Sequence, residues 1–177
     1  MEKMEVNYPN YILTDVTGDI DFFEPYMNQM EWTDINKLYD GYDEYAQSMT
    51  DRKPALQFIK HISDYDLKLK KFIVGIFKQL GIRTSDFRCD FFLTKPGGYL
   101  PPHVDHMSKI SILLPLTHNT GLLKVGDSGI VYQNMLVLNT QIEHEVQTPT
   151  QDRLLFRIAV HDFYFDDLKV VQEMNND

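Results

Sequence analysis

Apolar positions recur at three- and four-residue intervals in the first half of the chain, and in the second half they alternate or run in short blocks. Over residues 64–80, Leu67, Phe72, Ile76 and Leu80 fall at helical spacing and Gly81 follows as a stop, which predicts a helix. Shorter helices are predicted over residues 20–30, starting near Asp19, and over 55–62. Lys68, Lys70, Lys71 and Lys78 in the longest helix read as its solvated face rather than as an interaction surface. After Gly81, β-branched and aromatic residues cluster in short segments: 87–95, 109–116, 122–125, 130–132, 135–140, 143–147 and 153–163. The stretches PGGYLPP, THNTG, GDSG and TPTQD between them read as turns. No helical crossover separates these segments, so a parallel sheet is excluded and an all-β sandwich or barrel is predicted. A double-stranded β-helix, the jelly-roll or cupin-like arrangement, fits about eight short strands in this length. The fold class is therefore α+β, mainly β, with N-terminal helices buttressing one outer face of that core.

At 177 residues and 43% hydrophobic content, the chain can bury one core but is short for two. One domain over 1–177 is expected, with 1–86 as a mostly helical part packed on the barrel and 87–168 as the β-helix core. Acidic residues number 26 against 17 basic ones, for a formal charge of −9, and no stretch concentrates Lys or Arg. Nucleic acid is not expected as a partner. Cys89 is the sole cysteine, which rules out an intrachain disulfide and a cysteine-based zinc site. The opening MEKMEVNYPNYILTD carries acids among its apolar residues, and no apolar run approaches the ~20 residues that span a bilayer. No membrane association and a cytoplasmic location are the resulting expectations.

Chemistry enters at His103-Val104-Asp105. Chance alone supplies roughly 0.6 His-x-Asp matches in a chain of this composition, so the motif needs its context. Residues two apart on a strand point to one side, so His103 and Asp105 can reach one metal from a single strand end. His144 lies 41 positions on, in a segment that also reads as a strand. Two histidines and a carboxylate on one face of an ion form the facial triad of non-haem iron(II) oxygenases. His61, His106, His118 and His161 read as ordinary surface or core histidines, while Tyr99, His106 and Tyr132 are candidates to line the pocket.

An arginine follows nine residues after His144. In Arg153–Val160, alternation puts Arg153, Leu155, Arg157 and Ala159 on one face and Leu154, Phe156, Ile158 and Val160 on the other. The second set is core. An arginine inside a barrel is costly unless an anion pairs with it, and the distal carboxylate of 2-oxoglutarate matches a guanidinium fork. An ion pair of Arg153 with Asp90, Glu143 or Asp152 is the structural alternative.

The stretches FFLTKPGGYLPPHVD, SILLPL, IEHEV and DRLLFRIAVHDFYFDDL resemble the Fe(II)/2-oxoglutarate-dependent oxygenase superfamily, most closely its aspartyl/asparaginyl β-hydroxylase-like branch. The resemblance covers residues 91–168. It implies iron(II) held by His103, Asp105 and His144, which would act in catalysis through the bound iron. It also implies 2-oxoglutarate as co-substrate with its distal carboxylate on Arg153, co-substrate contacts from Lys109 or Ser111, and ascorbate as a candidate reductant. Arg157 is the alternative carboxylate partner. The implied reaction hydroxylates a C–H bond of an amino acid, peptide or other small substrate with dioxygen, releasing succinate and CO2. Two departures stand out: animal β-hydroxylases of that branch lack the carboxylate ligand that Asp105 supplies here, and Phe92 replaces a small polar residue. The rival readings are a cupin-like metal- or ligand-binding protein without oxygenase activity, and an interaction module that has lost catalysis.

Overall fold

The structure, a computed structural model, describes residues 5–7, 10–29, 31–35 and 57–175. Strand β12 (Arg153–Val160) sets the stacking, because its two faces enter different cores. Leu154, Phe156, Ile158 and Val160 join a large cluster with helix residues, whereas Leu155 joins a smaller one with Leu113, Leu123, Val125, Tyr132, Leu136, Leu138 and Val146. The alternation read from the sequence is thus realised residue by residue.

The first eleven strands are β1 (Glu5–Asn7), β2 (Tyr11–Leu13), β3 (Thr33–Asp34), β4 (Gln57–His61), β5 (Phe87–Thr94), β6 (Leu100–His103), β7 (Ile110–Pro115), β8 (Leu123–Val125), β9 (Ser128–Ile130), β10 (Leu136–Asn139) and β11 (His144–Val146). One sheet runs β1-β2-β10-β7-β12-β5-β4-β3 and the other β6-β11-β8-β9. All pairings are antiparallel. The smaller cluster fills the space between the two sheets, so the architecture is the expected mainly β jelly roll.

Helices α1 (Ile20–Met27) and α2 (Leu67–Leu80) cover the other face of the large sheet. Asp19 caps α1 by accepting from the Asp21 amide, and Asp66 caps α2 by accepting from the Leu69 amide at 2.8 Å. Asp66 also accepts from the Tyr26 hydroxyl at 2.9 Å, so one carboxylate ties the two helices together. Phe23 of α1 stacks on Phe156 of β12 with ring centroids 4.4 Å apart. The buried face of α2 is Leu69, Ile73, Ile76, Phe77 and Leu80. Each such side chain contributes about 1.5–3 kcal/mol when fully buried. Leu67, expected on that face, is 68% exposed, because the face is set by the 69–73–76–80 row. A third helix, α3 (Lys169–Asn175), follows a 3-10 turn at Phe165–Asp167. No helix among the described residues is long and apolar enough to cross a membrane.

Four local expectations are corrected. Of the helix expected over 55–62, residues 57–61 form strand β4 and 55–56 lie outside the described residues. This short apolar run is ambiguous on spacing alone, and pairing along the β5 edge decides it. PGGYLPP contributes Leu100–His103 as an edge strand, and the third strand of the small sheet lies at 128–130 rather than 130–132. Strands β1 to β4 also extend the large sheet, so residues 1–86 supply sheet as well as buttress.

Candidate metal centre

His103 ends β6 and His144 begins β11, and the two residues are direct register partners. Their rings lie 4.3 Å apart between centroids. Asp105 sits just beyond β6, with its Oδ1 3.4 Å from His103 Nε2 and 3.9 Å from His144 Nε2. The candidate ligand atoms of all three lie within 4.8 Å of one another. Ligands about 2 Å from one ion at right angles stand about 3 Å apart, so a small inward adjustment would close this triangle on a divalent metal.

Local bonds prepare each side chain for that role. The Nδ1 atoms of His103 and His144 lie 2.9 Å from the carbonyls of Pro101 and Ile142 respectively. A carbonyl only accepts, so Nδ1 carries the proton and Nε2 presents its lone pair to the other members of the triad. Burial lowers the His144 pKa, and the nearby His103 lowers it further, which keeps the imidazole neutral. Burial opposes the charge of Asp105, but the charge of Arg157 and the hydrogen bond from the Ser108 hydroxyl outweigh it. The carboxyl is held well below its ordinary range.

The loop carrying Asp105 is pinned from the turn that follows β10. The Ser108 hydroxyl donates to Asp105 Oδ2 at 2.6 Å, and the Asp105 amide donates to the Thr140 carbonyl at 3.1 Å. Thr140 Oγ1 donates to the Ser108 carbonyl at 2.7 Å, and Gln141 Nε2 to the carbonyls of Asp105 and Ser108 at 3.1 and 3.0 Å. Thr140 and Gln141 escape sequence reading, since their roles arise from contacts more than thirty positions away, and Ser108, three positions from Asp105, is too common a residue type to single out.

Arg153 faces the interior and is 3% exposed. Its Nε donates to Asn119 Oδ1 at 3.0 Å and its Nη2 to the Tyr132 hydroxyl at 2.7 Å. Neither partner is an anion. Burial pushes the Tyr132 pKa up against the pull of Arg153, and the phenol stays protonated. Of the three acids considered as partners of Arg153, Asp152 pairs with Lys95 at 2.5 Å and Asp90 with Arg157 at 2.6 Å, and Glu143 is not among the partners of Arg153. No carboxylate pairs with Arg153 among the described residues. Gly121 makes room for it: a Cβ there would stand 3.2 Å from Arg153 Cδ and 3.3 Å from the Gln147 carbonyl. Three residues of extended chain, roughly 10 Å, separate Gln147 from His144.

The remaining candidates divide. Ser111 faces the interior at 3% exposure, and its hydroxyl has no hydrogen-bond partner among the described residues. Lys109 donates to Gln141 Oε1 at 3.3 Å and stands over the Tyr164 ring. Arg157 lies over Phe92 at 4.4 Å while pairing with Asp90, which gives Phe92 a packing role. Tyr132 lines the interior as expected, while Tyr99 donates to Glu145 at 2.9 Å and His106 is exposed.

No family model and no curated protein matches the chain. Among solved structures it is similar to a prolyl-4-hydroxylase from Pseudomonas putida, at 17% identity and a TM-score of 0.53, over 85% of this chain and 92% of that one. It is also similar to a cupin superfamily protein from Desulfitobacterium hafniense, at 12% identity and a TM-score of 0.37, over 45% of this chain and 72% of that one. For KdgF from Halomonas sp. the values are 10%, 0.43, 74% and 86%. The likeness to the hydroxylase is one of fold, a cupin-like jelly roll.

Proposed function

We propose that the chain is a non-haem iron(II) oxygenase that consumes 2-oxoglutarate. The observation that carries this is Arg153, a buried guanidinium with neutral partners, in the same interior as a His-Asp-His triad. A metal-binding cupin needs the triad alone; an anion receptor beside it calls for a carboxylate ligand as well.

His103, Asp105 and His144 would hold the metal on one face and leave the opposite positions open. Arg153 would grip the distal carboxylate of 2-oxoglutarate. Tyr132 accepts from Arg153 and so keeps its own O–H proton to donate to the same carboxylate. Leu113, Val125, Leu136, Leu138 and Leu155 line the interior and exclude water. Iron(II) so held would supply oxygen activation: one atom of dioxygen enters succinate as CO2 leaves, and the other becomes the hydroxyl on a substrate C–H bond. Within this class, the IEHEV and DRLLF stretches support the aspartyl/asparaginyl β-hydroxylase-like branch.

The test is anaerobic addition of iron(II) and 2-oxoglutarate, with a visible charge-transfer band as the readout. The band is expected in the wild type and is expected to vanish in His103→Ala and His144→Ala variants that stay folded. No band, together with no succinate formed in air, overturns the proposal.

A further inference from the structure

Lys109 stands immediately before β7, and its backbone is fixed on both sides. Its amide donates to the Val160 carbonyl at 2.7 Å, and its carbonyl accepts from the Thr140 amide at 3.4 Å. Its half-buried ammonium pairs with no carboxylate among the described residues; it donates to Gln141 Oε1 at 3.3 Å and stands 5.6 Å from the centre of the Tyr164 ring. An ammonium donates and never accepts. Lys109 therefore sets which way round the Gln141 amide lies, with Oε1 toward itself and Nε2 toward the metal loop. Nε2 gives one N–H to the Asp105 carbonyl at 3.1 Å and the other to the Ser108 carbonyl at 3.0 Å. Turned over, the amide would set its NH2 against the ammonium and its oxygen against two carbonyls, and all three hydrogen bonds would go together.

A second observation concerns what else holds that loop. Val104 is 37% exposed, Met107 is 72% exposed and His106 is exposed too, so these side chains anchor the segment in neither core. Its place rests on hydrogen bonds. Besides the two from Gln141, they are those of the Asp105 amide to the Thr140 carbonyl and of Thr140 Oγ1 to the Ser108 carbonyl. His103 and His144, by contrast, sit on strands that pair with each other. Asp105 is thus the member of the triad whose position depends on polar side chains from another part of the chain.

We infer that Lys109 is a positioning residue for the metal centre, acting through Gln141 to hold the Asp105 loop where its carboxylate meets the two histidines. This deepens the proposed function and rests on its metal triad, not on its co-substrate. The sign of the effect separates it from plain electrostatics. A cation near the site repels a dication, so removing the charge of Lys109 would by itself tighten metal binding. Loss of support for a ligand loosens it.

Calorimetric titration of the full chain with manganese(II), before any 2-oxoglutarate is added, tests this; 2-oxoglutarate is then titrated into the metal-saturated protein. Gln141→Met is expected to weaken manganese(II) binding about tenfold and Lys109→Met about threefold or more, in variants whose urea midpoints show them folded. Lys109→Arg keeps a donor for Oε1 and a cation over the Tyr164 ring, and is expected to stay within about twofold of wild type. The double variant Lys109→Met/Gln141→Met is expected to bind no more weakly than Gln141→Met alone, because Lys109 then has nothing to act through. Amide hydrogen exchange at Asp105 in the metal-free protein is expected to quicken in both single variants. In Lys109→Met the affinity of the metal-saturated protein for 2-oxoglutarate is expected to be unchanged. Unchanged or tighter manganese(II) binding in Lys109→Met, or losses that add in the double variant, overturns the inference. Weakened 2-oxoglutarate binding with metal affinity intact also overturns it, and makes Lys109 a co-substrate contact. The expected losses in a protein that gives no charge-transfer band with iron(II) and 2-oxoglutarate would retain this inference and remove the oxygenase reading. Unchanged metal affinity in the variants, with the band present, would do the reverse.

Discussion

At the residue scale the decisive feature is a buried charge with no counter-charge among the described residues. Arg153 is enclosed and bonded to an amide oxygen and a phenol, so among the described residues its desolvation is offset by neutral hydrogen bonds and by no carboxylate. A group kept for stability is best removed together with its partner; a group kept for a ligand can go without loss to the empty protein. Arg153→Met is therefore expected to leave the ligand-free stability within about 1 kcal/mol of wild type or to raise it. The same change is expected to weaken 2-oxoglutarate binding about 100-fold or more. Arg153→Lys should fall between the two, because an ammonium keeps the charge and loses the planar fork. Urea denaturation and calorimetry on the same samples check both halves. A loss of about 3 kcal/mol in the empty protein would make Arg153 a strut between Asn119 and Tyr132.

At the scale of elements, a single kind of substitution separates two roles of glycine in and around α2. Gly81 ends that helix at φ +77°, and a Cβ there would approach Lys169 Cβ to 2.8 Å at the start of α3. Gly75 lies inside the helix with nothing within 4 Å of its would-be Cβ. Gly81→Ala is expected to cost about 1–2 kcal/mol, and Gly75→Ala to gain about 0.5–1 kcal/mol. Opposite shifts in the urea midpoint check the pair. The cap at Gly81 was legible in the sequence, as was the alternation of β12, because each depends on neighbours along the chain. Strand β6 was not: Pro101 and Pro102 read as a turn, yet β6 is the outermost strand of its sheet, where a missing amide is tolerated. Strand β4 was missed for a related reason, since five residues do not separate helix from strand until β5 supplies a partner. The same division runs through the site. His103, Asp105, His144 and Arg153 carry unusual chemistry at telling intervals. Asn119, Thr140 and Gln141 are common polar residues whose roles exist only once distant segments meet.

At the scale of the whole molecule, two electrostatic effects compete as pH falls. With a net charge of −9, mild acidification relieves self-repulsion and favours the folded state. Asp90 acts the other way. Burial opposes its ionisation, but Arg157, His61 and Arg88 outweigh that and hold its carboxyl well below the ordinary range. A carboxyl with a depressed folded-state pKa stabilises fully above its unfolded value, near 3.9, and loses that contribution as pH falls toward the folded value. Asp105 adds a term of the same sign. Stability is therefore expected to stay level or rise slightly from pH 7 to about 5, then fall steeply below about 4. Asp90 joins β4, β5 and β12 through one carboxylate, so its protonation loosens the strands behind the site together. In Asp90→Asn the acid slope should flatten without disappearing, the remainder belonging to Asp105, Asp66 and Glu145, whose carboxyls are also held below their ordinary range. At pH 7 the variant should be less stable by about 3 kcal/mol, because Arg157 keeps its burial and loses its counter-charge. Denaturant titrations at half-unit pH steps measure both quantities. An unchanged slope below pH 4 in the variant would show that the cluster around Asp90 does not govern acid unfolding.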